Sequence, residues 1–176
     1  MIHIPSVLLK IRDRKLSEVE PLYSSGHYER YKSQATTAKR DFTQAISKPG
    51  FNLIAEFKKA SPSKGEIRPG ADPEEIAQLY ECSGASAISV LTDAAFQGEL
   101  EYLRRIERVT TIPLLRKDFI IDPAQIYESR IYGADAILLI AALLSAEKIR
   151  DYQTIANSLG MSCLVESHNE SELESA

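Results

Sequence analysis

The stretch Phe51-Asn-Leu-Ile-Ala-Glu-Phe-Lys58 predicts a buried strand that ends in two charged side chains. Glu56 and Lys58 are two residues apart, and residues with this spacing in a strand point to the same face of the sheet. Burying a charge costs on the order of several kcal/mol unless the charge is paired or used in function. A polar loop, Lys59 to Gly65, follows directly. A strand that passes into its loop in this way is typical of a site in a parallel α/β protein.

The bulk composition excludes two classes of partner. The chain has 176 residues, 44% of them hydrophobic and 26% charged, and a net charge of −4. This length suits one domain or part of a larger one, and nothing in the charge balance favours a nucleic-acid partner. The longest uncharged apolar run, 136–144, is far shorter than the about 20 residues that span a bilayer. We therefore expect no membrane segment. The N-terminus lacks the long apolar stretch and small-residue cleavage site of a secretory signal, and the reduced thiols expected for the two cysteines fit a cytoplasmic protein.

The cysteines and histidines suggest neither a disulfide nor a metal site. Cys82 and Cys163 are isolated in apolar contexts, which predicts buried, reduced thiols. The three histidines, His3, His27 and His168, do not have the spacing of metal ligands. We therefore expect no metal ion.

Beyond residue 50, short apolar runs alternate with amphipathic segments. The runs are nearly continuous, which predicts strands buried on both faces. They are Leu53–Phe57, Ala87–Leu91, Ile112–Leu115, Ala136–Ile140 and Ser162–Val165. Before residue 50, helical spacing over Val7–Val19 and Ser33–Ser47 predicts an N-terminal helical extension, residues 1–50, packed on a domain formed by residues 51–176.

The segments between the strands carry helix signals. Asp72-Pro73 and Asp122-Pro123 each combine an N-cap with a proline in the first turn, and Ser145 opens a third helix. Gly84, Gly133 and Gly160 are the corresponding stop signals. A fourth helix is predicted over 99–108.

Strand and helix alternation at this spacing predicts a parallel sheet with right-handed crossovers. Two architectures compete, an open doubly wound sheet and a (β/α)8 barrel. A doubly wound sheet with a dinucleotide site needs Gly-x-Gly-x-x-Gly after its first strand, and the motif is absent. A barrel places polar residues at the carboxyl ends of several strands, as this sequence does. The barrel is therefore favoured.

The ends of the first, third and fifth strands carry two lysines and two carboxylates. Because alternate strands of a barrel contribute side chains to one layer, these groups are predicted to share a pocket. Such a set suits proton transfer on an anionic substrate. The residues are Glu56, Lys58, Lys117 and Glu166.

Structural explanations compete for each residue taken singly. Glu56 and Lys58 could form a rim ion pair, and Lys117 could pair with Asp118 or Glu56. Two further charges near the strand ends, Asp93 and Arg116, are expected to cap a turn or face outward rather than to take part in chemistry.

Five motifs resemble the indole-3-glycerol phosphate synthase family, in order and over essentially the whole chain. They are Ile54–Gly65, Ser89–Asp93 with Phe96 and Gly98, Pro113–Asp122, Gly133–Ile140 and Leu164–His168. The resemblance implies a TIM barrel of the ribulose-phosphate-binding type with an N-terminal helical extension. It implies a carboxy-lyase of tryptophan biosynthesis that closes the indole ring of a phosphorylated small molecule and uses no metal or organic cofactor.

The resemblance also implies residue roles. Lys117 would be the general acid on the ribulose carbonyl, and Lys58 would contact anionic groups and assist as an acid. Glu166, with Glu56, would handle protons in the dehydration. Substrate contacts are expected from Ser61 at the anionic end, from Phe96 and Phe119 as walls of the aromatic ring, and from Pro62 and Ser89.

Five predicted strand units fall short of the eight in a barrel, by roughly 75 to 80 residues. We therefore expect a barrel truncated after its fifth strand, without the family's strand-six asparagine, strand-seven serine and main phosphate grip. Open sheet edges predict self-association, and the chain alone is expected to have trace activity at most.

Two other functions stay open from the residues. In a class I aldolase-like barrel, Lys58 or Lys117 would form a Schiff base. A non-catalytic module would instead dock a partner chain on its open edge.

Overall fold

Five parallel strands form the main sheet of the protein. The structure, a computed structural model, describes residues 6–61, 65–68 and 70–175. The strands are β1 (Ile54–Phe57), β2 (Ala60–Ser61), β3 (Gly65–Glu66), β4 (Ala87–Leu91), β5 (Leu114–Lys117), β6 (Ala136–Ile140) and β7 (Ser162–Glu166). The main sheet has the order β1-β4-β5-β6-β7, each strand parallel to the next, and β2 and β3 form a short antiparallel pair. The predicted parallel sheet is confirmed.

Helices precede the sheet and connect its strands. They are α1 (Ser6–Ser24), α2 (His27–Gln34), α3 (Phe42–Ile46), α4 (Pro73–Cys82), α5 (Leu100–Glu107), α6 (Pro123–Ile131), α7 (Ala146–Ser158) and α8 (Glu170–Ser175), with a short 3₁₀ helix at Ala94–Phe96. Within the described ranges, no helix combines the length and apolar character needed to cross a membrane.

The predicted helix starts are confirmed by their capping bonds. The Asp72 carboxylate accepts hydrogen bonds from the amides of Glu74 and Glu75 in α4, and the Asp122 carboxylate accepts one from the amide of Ala124 in α6. The Ser145 hydroxyl accepts from the amide of Lys148 in α7. Local side-chain chemistry therefore fixes where the crossover helices begin.

One predicted helix, Ser33–Ser47, is wrong. Helix α2 ends at Gln34, and the next residues instead bond outside the segment: the amide of Ala38 donates to the carbonyl of Leu159, 2.8 Å away. Asp41 then caps the new helix α3 by accepting from the amide of Gln44. Tertiary contact and a new N-cap therefore outweigh the helical spacing.

Burial on both faces holds for the central strands but not for the outer ones. All residues of β4 and β6 are buried, whereas β7 is partly exposed along its length and β1 along most of it. Within the described residues, β1 and β7 each have a neighbouring strand on one side only. Their side chains are therefore less covered than predicted.

The prediction of buried thiols is also wrong in part. Cys82, the last residue of α4, is exposed, and Cys163 in β7 is half-buried. Both thiols are free, and burial raises the pKa of the Cys163 thiol to about 11.

The two faces of the sheet have different coverings. On one face, residues such as Ile88 and Ile137 pack with the crossover helices in the main core. We call the other face, which carries Glu56, Ser89 and Leu115, the inner face. Helix α3 covers one end of it through Phe42, which packs on Leu115 and its neighbours.

Helix α1 approaches the opposite end of the inner face, near the carboxyl ends of the strands. Its Leu8 packs against a cluster that contains Leu138, Ile140 and Ala142, with Phe119 beside them. Among the described residues, the N-terminal helices thus leave the part of the inner face between them uncovered, and the candidate site lies there.

Candidate active site

The tip of β1 carries an ion pair. Glu56 lies in the strand and Lys58 follows it by one residue, so the two side chains share the inner face. Lys58 Nζ lies 2.8 Å from Glu56 Oε1, and about a third of each side chain is exposed. The ion pair that was named as the structural alternative for Glu56 and Lys58 is therefore present, and it is partly open to solvent.

A second ion pair joins the tips of two strands that are not neighbours. Lys117 ends β5 and Glu166 ends β7, with β6 between them. Lys117 Nζ lies 3.5 Å from Glu166 Oε2. Lys117 therefore pairs with neither Asp118 nor Glu56, which were its expected structural partners. Convergence of alternate strands on one layer is a property of barrel sheets.

One cavity of about 210 Å³ brings both ion pairs together. The charged residues that line it are Glu56, Lys58, Lys117, Asp118 and Glu166. Phe96, Phe119 and apolar residues of β4 and β6 complete the lining. The charged groups can therefore contact a single small molecule held against aromatic and aliphatic walls.

A second cavity of about 420 Å³ continues along the inner face. It shares Glu56, Lys117 and Glu166 with the first cavity and adds Ser89. The Ser89 side chain is buried, and its hydroxyl has no hydrogen-bond partner among the described residues. A buried hydroxyl without a partner costs about 1–3 kcal/mol, so this group favours a ligand that bonds to it.

The loop after β1 is only partly described. Ser61 pairs with Gly65 through the β2–β3 ladder. Pro62 and Ser63, the rest of the expected Ser-Pro-Ser turn, lie outside the described residues.

Asp93 and Arg116 have structural partners, as expected, but Arg116 does not face solvent. Asp93 caps the 3₁₀ helix by accepting a hydrogen bond of 2.9 Å from the Ala95 amide. Arg116 points away from the inner face and is 3% exposed; it forms ion pairs of 3.0 Å with Asp118 and with Glu128 of α6. Buried partners explain how a guanidinium can lie inside a strand.

The sequence prediction missed Lys15 of α1, which is 2% exposed. Its Nζ lies 2.9 Å from Asp93 Oδ2, 2.7 Å from Asp118 Oδ1 and 2.7 Å from Glu18 Oε2. Burial alone would raise the pKa of the Asp118 carboxyl, but the charges of Arg116 and Lys15 outweigh burial and hold that pKa well below its usual range. The lysine thus ties α1 to the loops after β4 and β5.

These two loops carry the aromatic walls of the cavity. Phe96 lies in the 3₁₀ helix capped by Asp93, and the amide of Phe119 donates to Asp118 Oδ1 over 2.8 Å. The carboxylates that bind Lys15 therefore also hold the backbone beside both phenylalanines. A signal for Lys15 was present in the sequence, because it falls on the apolar stripe of α1 with Ile11 and Val19.

Among the described residues, no cluster of three or more histidine, cysteine, aspartate or glutamate side chains is arranged to hold a metal ion. The polar side chains that line the two cavities carry ammonium, carboxylate and hydroxyl groups.

The sheet, its crossover helices and a charged site at the strand tips define a parallel α/β protein of the class that places its site at the carboxyl ends of the strands. Residues 8–176 match the family model for indole-3-glycerol phosphate synthase. The chain belongs to the indole-3-glycerol phosphate synthase family.

Individual relatives agree with the family match. The indole-3-glycerol phosphate synthase of Endomicrobium trichonymphae is 56% identical over 136 residues, which cover 77% of this chain and 53% of the relative. That of Dehalococcoides mccartyi is 59% identical over 128 residues, 70% of this chain and 49% of the relative. That of Neisseria meningitidis is 47% identical over 175 residues, 96% of this chain and 67% of the relative. The chain thus spans about half the length of the first two relatives.

Proposed function

We propose that the protein carries out the indole-3-glycerol phosphate synthase reaction of tryptophan biosynthesis. The substrate is 1-(2-carboxyphenylamino)-1-deoxyribulose 5-phosphate, and the products are indole-3-glycerol phosphate, carbon dioxide and water. In this proposal residues 51–176 form the first five strand units of a (β/α)8 barrel, and residues 1–50 are a helical extension packed on it. The protein works in the cytoplasm on a phosphorylated small molecule, without a metal or organic cofactor.

The proposal rests on one observation: two lysines, two glutamates and two phenylalanines line a single cavity at the strand tips. The Lys117–Glu166 contact of 3.5 Å bridges strands that are not adjacent, so both groups can act on one bound molecule. The proposed reaction follows from the family to which the chain belongs, and the cavity contains acids, bases and apolar walls of the kinds that this reaction needs.

Ring closure forms a carbon–carbon bond between the ring carbon that bears the carboxylate and the ribulose carbonyl carbon. Negative charge gathers on the carbonyl oxygen, and Lys117 donates a proton there. Loss of carbon dioxide then restores the aromatic ring. Lys58 orients the anionic groups, and Phe96 and Phe119 flank the ring, so that the carboxylate leaves in apolar surroundings.

Dehydration needs an acid for the departing hydroxyl group and a base for the proton on the neighbouring carbon. Glu166 and Glu56 supply these roles, with Glu166 as the principal partner. The unbonded Ser89 hydroxyl contacts the substrate from the inner face, and Ser61 and Pro62 contact it from the loop after β1.

Substitution of Lys117 tests the proposal in protein expressed from the full reading frame that encodes this chain. Lys117→Ala is expected to lower kcat by about 10²-fold or more with a much smaller effect on KM, because a general acid acts mainly in the transition state. Indole fluorescence reports product formation. Lys148→Ala, at an exposed lysine of α7, is the matched control. The acid role would be refuted if Lys117→Ala kept the kcat of wild type. It would also be refuted if substrate binding weakened as much as turnover fell.

The Schiff-base alternative is less well supported, because both lysines are ion-paired with carboxylates and a Schiff base requires a neutral amine. Borohydride treatment in the presence of substrate is therefore expected to trap no adduct. A trapped adduct on Lys58 or Lys117 would favour the aldolase-like reaction.

A further inference from the structure

We propose that His168 returns protons from solvent to the site through Glu166, an inference that rests on the proposed function. His168 lies two residues beyond Glu166, just after β7. Its Nε2 lies 3.0 Å from Glu166 Oε1. The other oxygen of the same carboxylate, Oε2, contacts Lys117. Glu166 therefore bridges an inner ammonium group and an outer imidazole.

Exposure increases along this chain of contacts. Lys117 and Glu166 are each about one-third exposed, whereas the His168 side chain is 67% exposed. Glu166 and Lys117 line the cavity, and His168 is not among its lining residues. A ligand in the cavity would cover the inner oxygen of Glu166 and leave the outer oxygen in contact with His168.

Hydrogen bonds to residues at the start of α8 fix the backbone at His168. Its amide donates to Glu172 Oε2 over 2.8 Å, and Asn169 and Glu172 exchange two further hydrogen bonds at the start of α8. The charged groups that face the imidazole or its backbone are thus Glu166 from β7 and Glu172 from α8, with Lys117 of β5 behind Glu166.

The proton balance of the proposed reaction requires a route for protons from solvent to the site. The departing oxygen takes up two protons, one during ring closure and one when it leaves as water. Only one proton is recovered, from the ring carbon adjacent to the carbon that bears the departing oxygen. With the substrate as a carboxylate and carbon dioxide as product, each turnover therefore consumes one proton, and solvent must supply it.

The relay consists of three transfers. The His168 imidazolium gives its Nε2 proton to Glu166 Oε1. A half-turn of the carboxyl group brings this proton to the side of Lys117, and Glu166 then passes it to the amine that has protonated the substrate. The neutral imidazole takes the next proton from water at Nε2.

Two substitutions separate proton transfer from hydrogen bonding in protein made from the full reading frame. His168→Gln keeps a donor near Glu166 but cannot relay a proton, and His168→Ala removes both functions. Both variants are expected to lower kcat about tenfold or more in weak buffer, with KM unchanged. Added imidazole should restore turnover in the alanine variant. His27→Gln in α2 is the control and should match wild type.

The relay would be overturned if His168→Gln had the same kcat as wild type over the whole pH range. It would also be overturned if only His168→Ala lost activity, because a hydrogen-bond donor would then be sufficient. If wild type itself forms no product, the proposed function fails, and the His168–Glu166 link is judged by magnetic resonance on ¹⁵N-labelled residues 1–176. The Nε2 signal of His168 is then expected to differ between wild type and Glu166→Gln. An identical signal in the two proteins would overturn the link.

Discussion

Ser89 is the residue whose environment points most directly to a ligand. Its side chain is 4% exposed, yet its hydroxyl has no partner among the described residues. The sheet register places it beside Glu56 in β1 and Leu115 in β5, on the inner face. Among the described residues, no hydrogen bond links this hydroxyl to the rest of the fold.

Ser89→Ala is therefore expected to raise the free energy of unfolding by up to about 1–3 kcal/mol, since no hydrogen bond to a described residue is lost and a buried hydroxyl without a partner is removed. The same substitution should raise KM if the hydroxyl contacts substrate. Urea unfolding and steady-state kinetics measure the two effects. A loss of about 2 kcal/mol or more in stability would mean that the hydroxyl has a protein partner in solution.

Sequence spacing was sufficient to predict that Glu56 and Lys58 lie on one face, because the two-residue period of a strand fixes this relation locally. It could not predict that Lys117 pairs with Glu166. That contact depends on how far the tips of β5 and β7 converge across β6, which is set by the twist of the whole sheet. The role of each residue stays a prediction.

At the scale of elements, α1 is bound to the sheet by a buried charge. Lys15 links Asp93, after β4, to Asp118, after β5. Without Lys15, Asp118 would keep its ion pair with Arg116 and Asp93 its ion pair with Arg14, but each buried carboxylate would lose one of its two cations.

Lys15→Met keeps the length of the side chain and removes its charge. We expect it to lower the free energy of unfolding by about 1–3 kcal/mol, because two buried carboxylates lose a partner while each keeps an arginine. Lys10→Met, at an exposed lysine on the same helix, is the control and should have little effect. Denaturant unfolding gives both values. Equal stability of the two variants would show that the buried network contributes nothing.

Asp118 makes the free energy of unfolding depend on pH in the acidic range. Its pKa is lowered in the folded protein, because Arg116 and Lys15 outweigh the effect of burial. Its contribution is therefore complete above the unfolded-state pKa of about 3.9 and is lost as the pH falls below that value toward the folded-state pKa. Unfolding measured between about pH 5 and pH 2 should show a shallower decline for Asp118→Asn than for wild type. Parallel curves would contradict this assignment.

Helix starts were predictable because aspartate, proline and serine act within one turn of their own position. The bounds of β5, the third strand of the main sheet, were harder to predict. The strand was predicted over Ile112–Leu115, and it lies at Leu114–Lys117. The predicted apolar run stopped at Leu115, and the charged residues Arg116 and Lys117 were placed at the end of the strand. Arg116 lies in the strand because Asp118 and Glu128 neutralise it in the folded protein, and neither contact is visible from local pattern.

At the scale of the whole molecule, the outer strands leave apolar side chains exposed. Leu164 of β7 and Leu53, next to β1, are partly exposed, and Phe51 is 90% exposed. Exposed strand edges and apolar side chains favour association.

Residues 1–176 alone are therefore expected to associate at rising protein concentration. Sedimentation velocity should show a sedimentation coefficient that increases with concentration. Leu164→Lys, which places a charge on β7, should reduce the increase. A single monomeric species for the wild-type chain at all concentrations would contradict the expected self-association.

The central claim is that Lys58, Lys117 and Glu166 act on the same small molecule. A crystal structure of the protein from the full reading frame, bound to indole-3-glycerol phosphate, tests it most directly. We predict an indole ring between Phe96 and Phe119, with polar atoms of all three charged side chains within about 3.5 Å of the ligand. A ligand bound away from the strand tips, or one that contacts only one of the three, would contradict the claim.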